Sequence, residues 1–123
     1  MEIYTGIDII EVDRIKENIE KHEKNFLNKV YTEKEIEYCE SKGVSKYQSY
    51  AARFAGKEAV FKAISKLLNN KFEIGWKDIE ILNDEYGRPV VNLNWKNNKN
   101  IKTEISISHT SKTAIASVVV VAN

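Results

Sequence analysis

The sequence predicts an α+β fold in which an antiparallel sheet packs against one long central helix. Alternating apolar and polar residues near both ends of the chain, at residues 3–9 and beyond residue 79, are typical of strands with two different faces. Between them, residues 46–68 contain no proline and many Ala, Phe, Leu and Lys residues, which favours a single helix. A strand, then helices, then strands joined by hairpins is the order expected for an α+β protein with antiparallel pairing.

Local signals define the elements that precede the central helix. Residues 3–9 form the predicted first strand, because isoleucine and threonine alternate there with other residue types. The period then lengthens, and Ile15 and Ile19 begin the apolar stripe of a helix. Thr32–Glu35 matches a capping box, which predicts the start of a second helix. We expect Gly43 to end that helix.

Strands are predicted over most of the chain after the central helix, at residues 79–81, 91–95, 104–108 and 114–121. The turn at Asp84–Pro89 contains Gly87, which can adopt a positive φ angle. Residues 97–100 are expected to form a loop or a short helical turn. Val118–Val121 is apolar on both faces of the last strand, so we expect both faces to be covered.

Length and composition exclude several classes of protein. A chain of 123 residues is expected to form one domain, residues 1–123. Its net charge of +1 does not favour binding to nucleic acid or to an anionic membrane. A lone cysteine, Cys39, excludes an internal disulfide. We expect a cytoplasmic protein, because no signal peptide is recognisable and the longest apolar stretch, Ala114–Ala122, is far below the ~20 residues that span a bilayer.

Two carboxylates in unusual surroundings are candidate magnesium ligands. Asp8 interrupts an apolar strand close to Gly6, whose missing side chain would allow another segment or a ligand to approach. Glu58 lies on the central helix. Magnesium needs only one or two protein carboxylates, because water and substrate phosphates complete its octahedron. The plainer alternative for Asp8 is a carboxylate at a strand end that hydrogen-bonds nearby backbone.

The central helix carries charges on two of its sides. Glu58 and Lys62 have the spacing of an ordinary solvated pair at positions i and i+4, or of two groups that share a phosphate site. Arg53 and Lys57 project into the apolar arc of the same helix, where an unpaired charge is costly. These two cations must therefore extend their stems to solvent or meet an anion.

A histidine is predicted at the start of a turn, residues 109–113, between two strands. A histidine in a turn is usually a surface residue. Beside a phosphate, His109 would instead donate hydrogen bonds or protons near neutral pH. The sequence contains no Walker, GxSxG or GxGxxG motif, so P-loop, α/β-hydrolase and Rossmann functions lack their sequence signatures.

Four segments, in order along nearly the whole chain, together resemble the holo-acyl-carrier-protein synthases, which are the small bacterial 4′-phosphopantetheinyl transferases. The segments are Gly6–Ile9, Arg53–Ala59 with Lys62, Gly87–Pro89 and Ile107–Thr110. Gly56 departs from the family pattern, in which alanine is commoner, and no chemical role depends on it. The resemblance implies the 4′-phosphopantetheinyl transferase fold and a homotrimer with active sites between subunits.

The resemblance also implies a reaction in which 4′-phosphopantetheine passes from coenzyme A to a serine of apo acyl carrier protein. Adenosine 3′,5′-bisphosphate is released, and the product serves fatty acid biosynthesis. In this resemblance Asp8 and Glu58 would bind Mg2+, with Lys62 against the phosphate charge. The implied catalytic residues are Asp8, Glu58, Lys62 and His109. The implied contacts with coenzyme A come from Arg53, Gly87, Arg88, Pro89, Ser108 and Thr110.

The family's first helix docks the acidic carrier protein through basic residues, which implies a similar role for this chain's first helix. The matching basic residues are Arg14, Lys21 and Lys24. Acidic residues interrupt this patch and weaken it, namely Glu17, Glu20 and Glu23.

The residues alone leave two other functions open. A magnesium-dependent phosphohydrolase would use the same carboxylates with water as nucleophile. A non-catalytic oligomeric scaffold would carry the charged helices without binding coenzyme A. The general base for transfer is also open among Glu58, Asp8 and a metal-bound water.

Overall fold

The central helix lies against one face of an antiparallel sheet in the computed structural model of the chain, which confirms the predicted α+β fold. The structure describes the backbone of residues 1–123 and every side chain except that of Glu23. The predicted effect of Glu23 on the charge of the first helix therefore lies outside the described residues. Among the helices described, none is both long enough and apolar enough to cross a membrane.

The strands are β1 (Glu2–Glu11), β2 (Ile79–Asn83), β3 (Pro89–Leu93), β4 (Ile101–His109) and β5 (Thr113–Ala122). The α-helices are α1 (Val12–Val30), α2 (Glu33–Glu40) and α3 (Lys46–Ile64). In the main sheet β5 lies between β1 and β4, and both pairs are antiparallel. The strands β2 and β3 form a separate antiparallel hairpin that also contacts α3.

Two helix ends differ from the prediction. The α-helical part of α3 ends at Ile64, and Ser65–Leu67 form a 3₁₀ turn. The hydroxyl of the first residue of this turn donates to the carbonyl oxygen three residues earlier, at 2.9 Å, and so competes with regular helical hydrogen bonding. The second helix ends at Glu40, before Gly43, which instead adopts a φ angle of 58° in the following 3₁₀ turn.

Gly6 sets the distance between β1 and α3. A Cβ atom on Gly6 would lie 1.9 Å from the carbonyl oxygen of Ala59 and 2.8 Å from the amide nitrogen of Ala63. The close approach that the sequence predicts at Gly6 is therefore made by α3 itself. Gly56 of α3 faces side chains of β2 and β4, where a Cβ atom would meet the flexible ends of Ile81, at 2.3 Å, and Ile105, at 3.2 Å.

The cation Lys57, which projects into the apolar arc of α3, finds its partner inside the protein. Its ammonium lies 2.8 Å from a carboxylate oxygen of Glu35, and both side chains are fully buried. Glu35 also completes the capping box predicted at Thr32, because it accepts the Thr32 backbone N–H at 2.9 Å. Burial lowers the pKa of Lys57, and the nearby Glu35 carboxylate opposes that shift. Of the two alternatives that the sequence leaves for Lys57, a stem extended to solvent or a nearby anion, the structure has the anion, Glu35.

The outer face of the main sheet is apolar and exposed within one protomer. Val118 and Val120 of β5 are buried beneath α3, whereas Val119 between them is 39% exposed. Ile7 and Ile9 of β1 are 59% and 65% exposed on the same outer face. Within one protomer, the prediction that both faces of residues 118–121 are covered therefore holds only for the face toward α3.

We expect Gly6→Ala to lower the free energy of unfolding by at least ~3 kcal/mol, the upper end of ordinary overpacking costs, because backbone atoms cannot yield to the new Cβ. Urea denaturation followed by circular dichroism measures this change. The matched control is Gly75→Ala, whose Cβ would meet only a side-chain oxygen of Asp78, at 3.9 Å. The control should stay within ~0.5 kcal/mol of the parent protein. Equal stability of the two variants would contradict the proposed role of Gly6.

Candidate active site

Asp8 and Glu58 line one cavity of about 280 Å³ where β1 passes beneath α3. Strand alternation directs Asp8 to the same face as Gly6 and Ile10, toward the helix. Because Gly6 brings the two backbones together, carboxylates from a strand and a helix converge there. The two residues that the sequence selects as magnesium ligands are therefore neighbours in space.

Lys62 lies one helical turn after Glu58 and binds β1. Its ammonium donates to a carboxylate oxygen of Asp8 at 3.2 Å and to the carbonyl oxygen of Ile7 at 2.9 Å. Lys62 therefore forms its ion pair with Asp8. The solvated pair with Glu58, which the spacing of the two residues allows, is not the contact that Lys62 makes. The Lys62 side chain is 54% exposed, so it can turn toward a phosphate without opening the core.

Glu58 is half-buried beside a second carboxylate. Burial raises the pKa of Glu58 above its ordinary value, and the charge of Asp8 raises it further, while Lys62 opposes both effects. The cavity thus disfavours a second negative charge unless a cation enters it.

The acidic cluster of Asp8 and Glu58 has the composition of a magnesium site that is completed by substrate. Among the described residues, no third His, Cys, Asp or Glu joins these carboxylates in a metal-binding group. Magnesium tolerates so few protein ligands because water and phosphate oxygens fill its remaining positions. The Lys62 ammonium on Asp8 shows that positive charge is already stabilised at this point.

A second cavity, of about 370 Å³, lies where α3 meets the β2–β3 hairpin. Arg53 lines it and is only 5% exposed. Its guanidinium donates to the side-chain oxygen of Asn83 at 2.6 Å and lies 4.3 Å from the ring of Tyr38. The Nε atom of Arg53 is buried without a hydrogen-bond partner among the described residues. A buried donor without an acceptor is costly, and an anion in the cavity would supply one.

The turn between β2 and β3 holds Gly87 and Pro89 at this second cavity. The Asp84 carboxylate accepts the backbone N–H groups of Tyr86 and Arg88, at 2.8 and 2.9 Å. Gly87 has a φ angle of 79°, as the sequence predicts. The Arg88 guanidinium lies 5.3 Å from the Tyr86 ring and is not among the groups that line the cavity.

His109 also lines the second cavity. It is the last residue of β4 and not the first residue of a turn, because its backbone still pairs with Ala114 of β5. Alternation places Ser108 on the opposite face of the sheet. The hydroxyl of Thr110 accepts two backbone N–H groups of the β4–β5 turn, at 3.1 and 3.2 Å. Of these three residues, His109 is the one that the described structure brings to the cavity.

Known proteins match this chain over most of its length. A model of the 4′-phosphopantetheinyl transferase superfamily matches residues 4–119. The chain belongs to this superfamily. It is 45% identical to the holo-[acyl-carrier-protein] synthase of Ruminiclostridium cellulolyticum, over 98% of this chain and 92% of that relative.

Solved structures from the superfamily have the same fold. The holo-[acyl-carrier-protein] synthase of Helicobacter pylori, solved in complex with coenzyme A, superposes with a TM-score of 0.82 at 33% identity. The alignment covers 95% of this chain and 99% of that one. The corresponding protein of Bacillus anthracis, solved with CoA (3′,5′-ADP), gives 0.80 at 34% identity and covers 95% and 94% of the two chains.

In this transferase superfamily member, the candidate site residues predicted from the sequence fall into two groups on different sides of α3. Arg53 and Glu58 are five positions apart on the helix, which is about 140° around its axis. Asp8 and His109 lie on opposite sides of β5, two residues apart in register. Strand spacing and rise place their Cα atoms about 12 Å apart. The cavity that Asp8 and Glu58 line contains neither Arg53 nor His109.

The basic residues selected on α1 also separate. Arg14 lines the cavity of Asp8 and Glu58. Lys24 lies in another groove, between α1 and the start of α3, and Lys21 is exposed. Of the three basic residues, Arg14 is therefore the one that lies at the cavity of Asp8 and Glu58.

Several residues that line the second cavity are not predicted from the sequence, including Tyr38, Lys42, Ser45, Ser49 and Asn83. The Lys42 ammonium lies 4.6 Å from the centroid of the Tyr38 ring, which also meets Arg53 in a cation–π contact. Asn83 stands directly before a predicted turn, which is a usable signal for a polar side chain with a local partner. The others belong to helix ends and carry no distinctive pattern.

We expect Glu58→Gln to raise the free energy of unfolding at neutral pH in metal-free buffer. When folding raises the pKa of a carboxyl group, the folded state binds the proton more tightly than the unfolded state does. The stability that this adds is present in acid and is lost as the pH rises from the unfolded pKa through the folded pKa. The neutral amide avoids that loss, so its advantage should shrink again in acid. Paired urea titrations at neutral and acid pH measure the difference. Glu37→Gln, at an exposed position of α2, should show no such gain, and equal behaviour of the two variants would contradict the crowding at Glu58.

Proposed function

We propose that this chain transfers 4′-phosphopantetheine from coenzyme A to a serine hydroxyl of apo acyl carrier protein and releases adenosine 3′,5′-bisphosphate. The observation that carries this proposal is the cavity shared by Asp8 and Glu58, with Lys62 bound to Asp8, in a chain of the 4′-phosphopantetheinyl transferase superfamily. Relatives named holo-[acyl-carrier-protein] synthase, and their coenzyme A complexes, support this choice of substrates. The product would serve fatty acid biosynthesis.

Magnesium is the cofactor that we assign to Asp8 and Glu58. Burial and the neighbouring charge of Asp8 both raise the pKa of Glu58, and this supports the assignment, because a divalent cation would stabilise the ionised carboxylates. Bound there, magnesium would supply positive charge to neutralise a pyrophosphate and to stabilise the departing bisphosphate.

Cations of this chain would hold the rest of the substrate's charge. Phosphoryl transfer depends mainly on positioning and on charge stabilisation. Lys62 is exposed enough to turn from Asp8 to the pyrophosphate. Arg53 would bind the 3′-phosphate, because its Nε lacks an acceptor and its planar fork suits phosphate oxygens. His109, in the same cavity, would donate to the nucleotide.

Glu58 is our candidate for the group that accepts the serine proton. Asp8 already accepts a hydrogen bond from Lys62.

A homotrimer with each active site between two subunits is the assembly that we propose. The acidic cluster and the Arg53 cavity lie on different sides of α3, so groups from neighbouring subunits would serve one coenzyme A. The apolar outer face that carries Ile7, Ile9 and Val119 would be covered in the assembly. Left in water, such a face is an aggregation hazard.

Intact-mass analysis tests the function. Apo carrier protein incubated with this chain, coenzyme A and magnesium should gain the mass of 4′-phosphopantetheine. Asp8→Ala and Glu58→Gln should slow transfer by about 10²–10³-fold or more, the scale of a lost charge-stabilising group, while Glu37→Gln should match the parent. Breakdown of coenzyme A without carrier would indicate a phosphohydrolase instead, and failure to bind coenzyme A with magnesium would indicate a scaffold.

Subunit mixing tests the shared site. We expect Asp8→Ala and Arg53→Ala proteins to be nearly inactive alone. After denaturation and joint refolding, about a quarter of the sites should regain both intact groups if neighbouring subunits supply them. Recovery of transfer activity measures this. Mixtures of Asp8→Ala with Glu58→Gln, whose defects share one cavity, should not recover, and no recovery in either mixture would place each site within one subunit.

Carrier docking should depend on Arg14, which lies at the acidic cavity. We expect Arg14→Glu to raise the KM for the acidic carrier far more than the KM for coenzyme A. Exposed charges are screened within about 8–10 Å at physiological salt, so the KM for carrier should also rise with salt. Lys34→Glu, a charge reversal at an exposed position of α2, is the control. Equal effects of the two reversals would show that the carrier docks elsewhere.

A further inference from the structure

The buried ion pair of Lys57 and Glu35 ties α3 to two other parts of the fold. Besides Glu35, the Lys57 ammonium donates to the carbonyl oxygen of Trp76, at 2.9 Å, and to that of Ile79 at the start of β2. An ammonium has three donors, so all of them are used. Each acceptor belongs to a different segment: α2, the turn that precedes β2, and β2 itself.

Glu35 extends the same network in the other direction. One carboxylate oxygen accepts the backbone N–H of Thr32 at 2.9 Å, and the other accepts that of Ile81 in β2 at 2.8 Å. The capping box accounts for the first of these bonds. The second bond joins the start of α2 to the middle of β2, a contact that helix capping does not require.

The position of Lys57 on α3 connects this network to the acidic cluster. Glu58 is the next residue, about 100° further around the helix. Ala59, which touches Gly6 of β1, is about 200° from Lys57. Lys57 is therefore held by β2 on one side of α3 while Ala59 is held by β1 on the other. Glu58 lies between these two fixed points, facing Asp8 in the shared cavity.

Helix rotation is the motion that this network prevents. A carboxylate that lies about 5–6 Å from the helix axis moves by about 1 Å when the helix turns by about 10°. A displacement of about 1 Å at a reacting group can cost ~10²-fold in rate. The apolar contacts of α3 fix its distance from the sheet, but they are non-directional. The hydrogen bonds of Lys57 are directional, and they fix the angle.

We propose that Lys57 and Glu35 are positioning residues of the transfer reaction, which hold α3 at the rotation that directs Glu58 toward Asp8. This inference rests on the proposed function of the cavity. Stability alone is a weak explanation for the pair, because a buried ion pair often contributes no more than neutral groups of similar shape would. Arg53 keeps its own hydrogen bond to Asn83 and its cation–π contact with Tyr38, so the binding of coenzyme A should depend less on the pair than turnover does.

The test is a neutral double variant, Lys57→Met with Glu35→Gln, which leaves no unpaired buried charge. We expect circular dichroism and oligomeric state to match the parent, kcat for transfer to apo carrier to fall about 10²-fold, and KM for coenzyme A to change less than about 3-fold. The control for an effect of stability alone is Val60→Ala, a buried position of the same helix. It should lose stability and keep kcat within a few-fold of the parent.

A second variant covers the case in which the double variant does not fold. Glu35→Asp keeps both charges but shortens the carboxylate by one methylene, so it cannot reach Lys57 and Ile81 together; its kcat should fall while that of Val60→Ala does not. A kcat close to that of the control in either folded variant would overturn the positioning role, as would equal changes in kcat and KM. If the parent protein itself did not transfer 4′-phosphopantetheine, the proposed function would fail instead.

Discussion

The contact between Gly6 and the backbone of Ala59 is the constraint on which the candidate site depends. It brings β1 and α3 closer than any other residue at position 6 would allow. Asp8 and Glu58 come from these two elements, so any increase in the distance between them separates the carboxylates by a similar amount. The conformational freedom that glycine loses on folding is the cost of this arrangement, and a cavity with two converging charges is its result.

The composition of α3 follows from the same constraint. The residues that face its neighbours are largely small and buried: Ala51, Ala52, Ala55, Gly56, Ala59 and Ala63. Small side chains bury little apolar area each, so close backbone packing and directional polar bonds carry more of the helix's placement. Charged residues lie on either side of these faces of small residues. Arg53 lies toward the hairpin, and Glu58 and Lys62 lie toward β1.

Local chemistry made a large part of this structure predictable from the sequence. The alternation in β1, the capping box at Thr32 and the positive φ of Gly87 each depend on a few neighbouring residues, and all three are observed. Helical geometry likewise showed that Arg53 and Lys57 require partners. The partners themselves were not predictable, because they depend on how distant segments meet. Glu35 illustrates that limit, because its capping role explains its presence locally and nothing in the sequence indicates that its carboxylate also binds Lys57 and β2.

Gly6 and Gly56 differ in whether a larger residue could replace them during evolution. At Gly6 the obstacle is backbone, and no substitution at a single second position would make room. At Gly56 the obstacles are side-chain methyl groups, and that of Ile81 is the nearer, at 2.3 Å from the point that a Cβ atom would occupy, with that of Ile105 at 3.2 Å. Homologous chains with alanine at position 56 should therefore tend to carry a shorter side chain, such as valine, at position 81. We expect substitutions at positions 56 and 81 to occur together among homologues, while position 6 stays invariant.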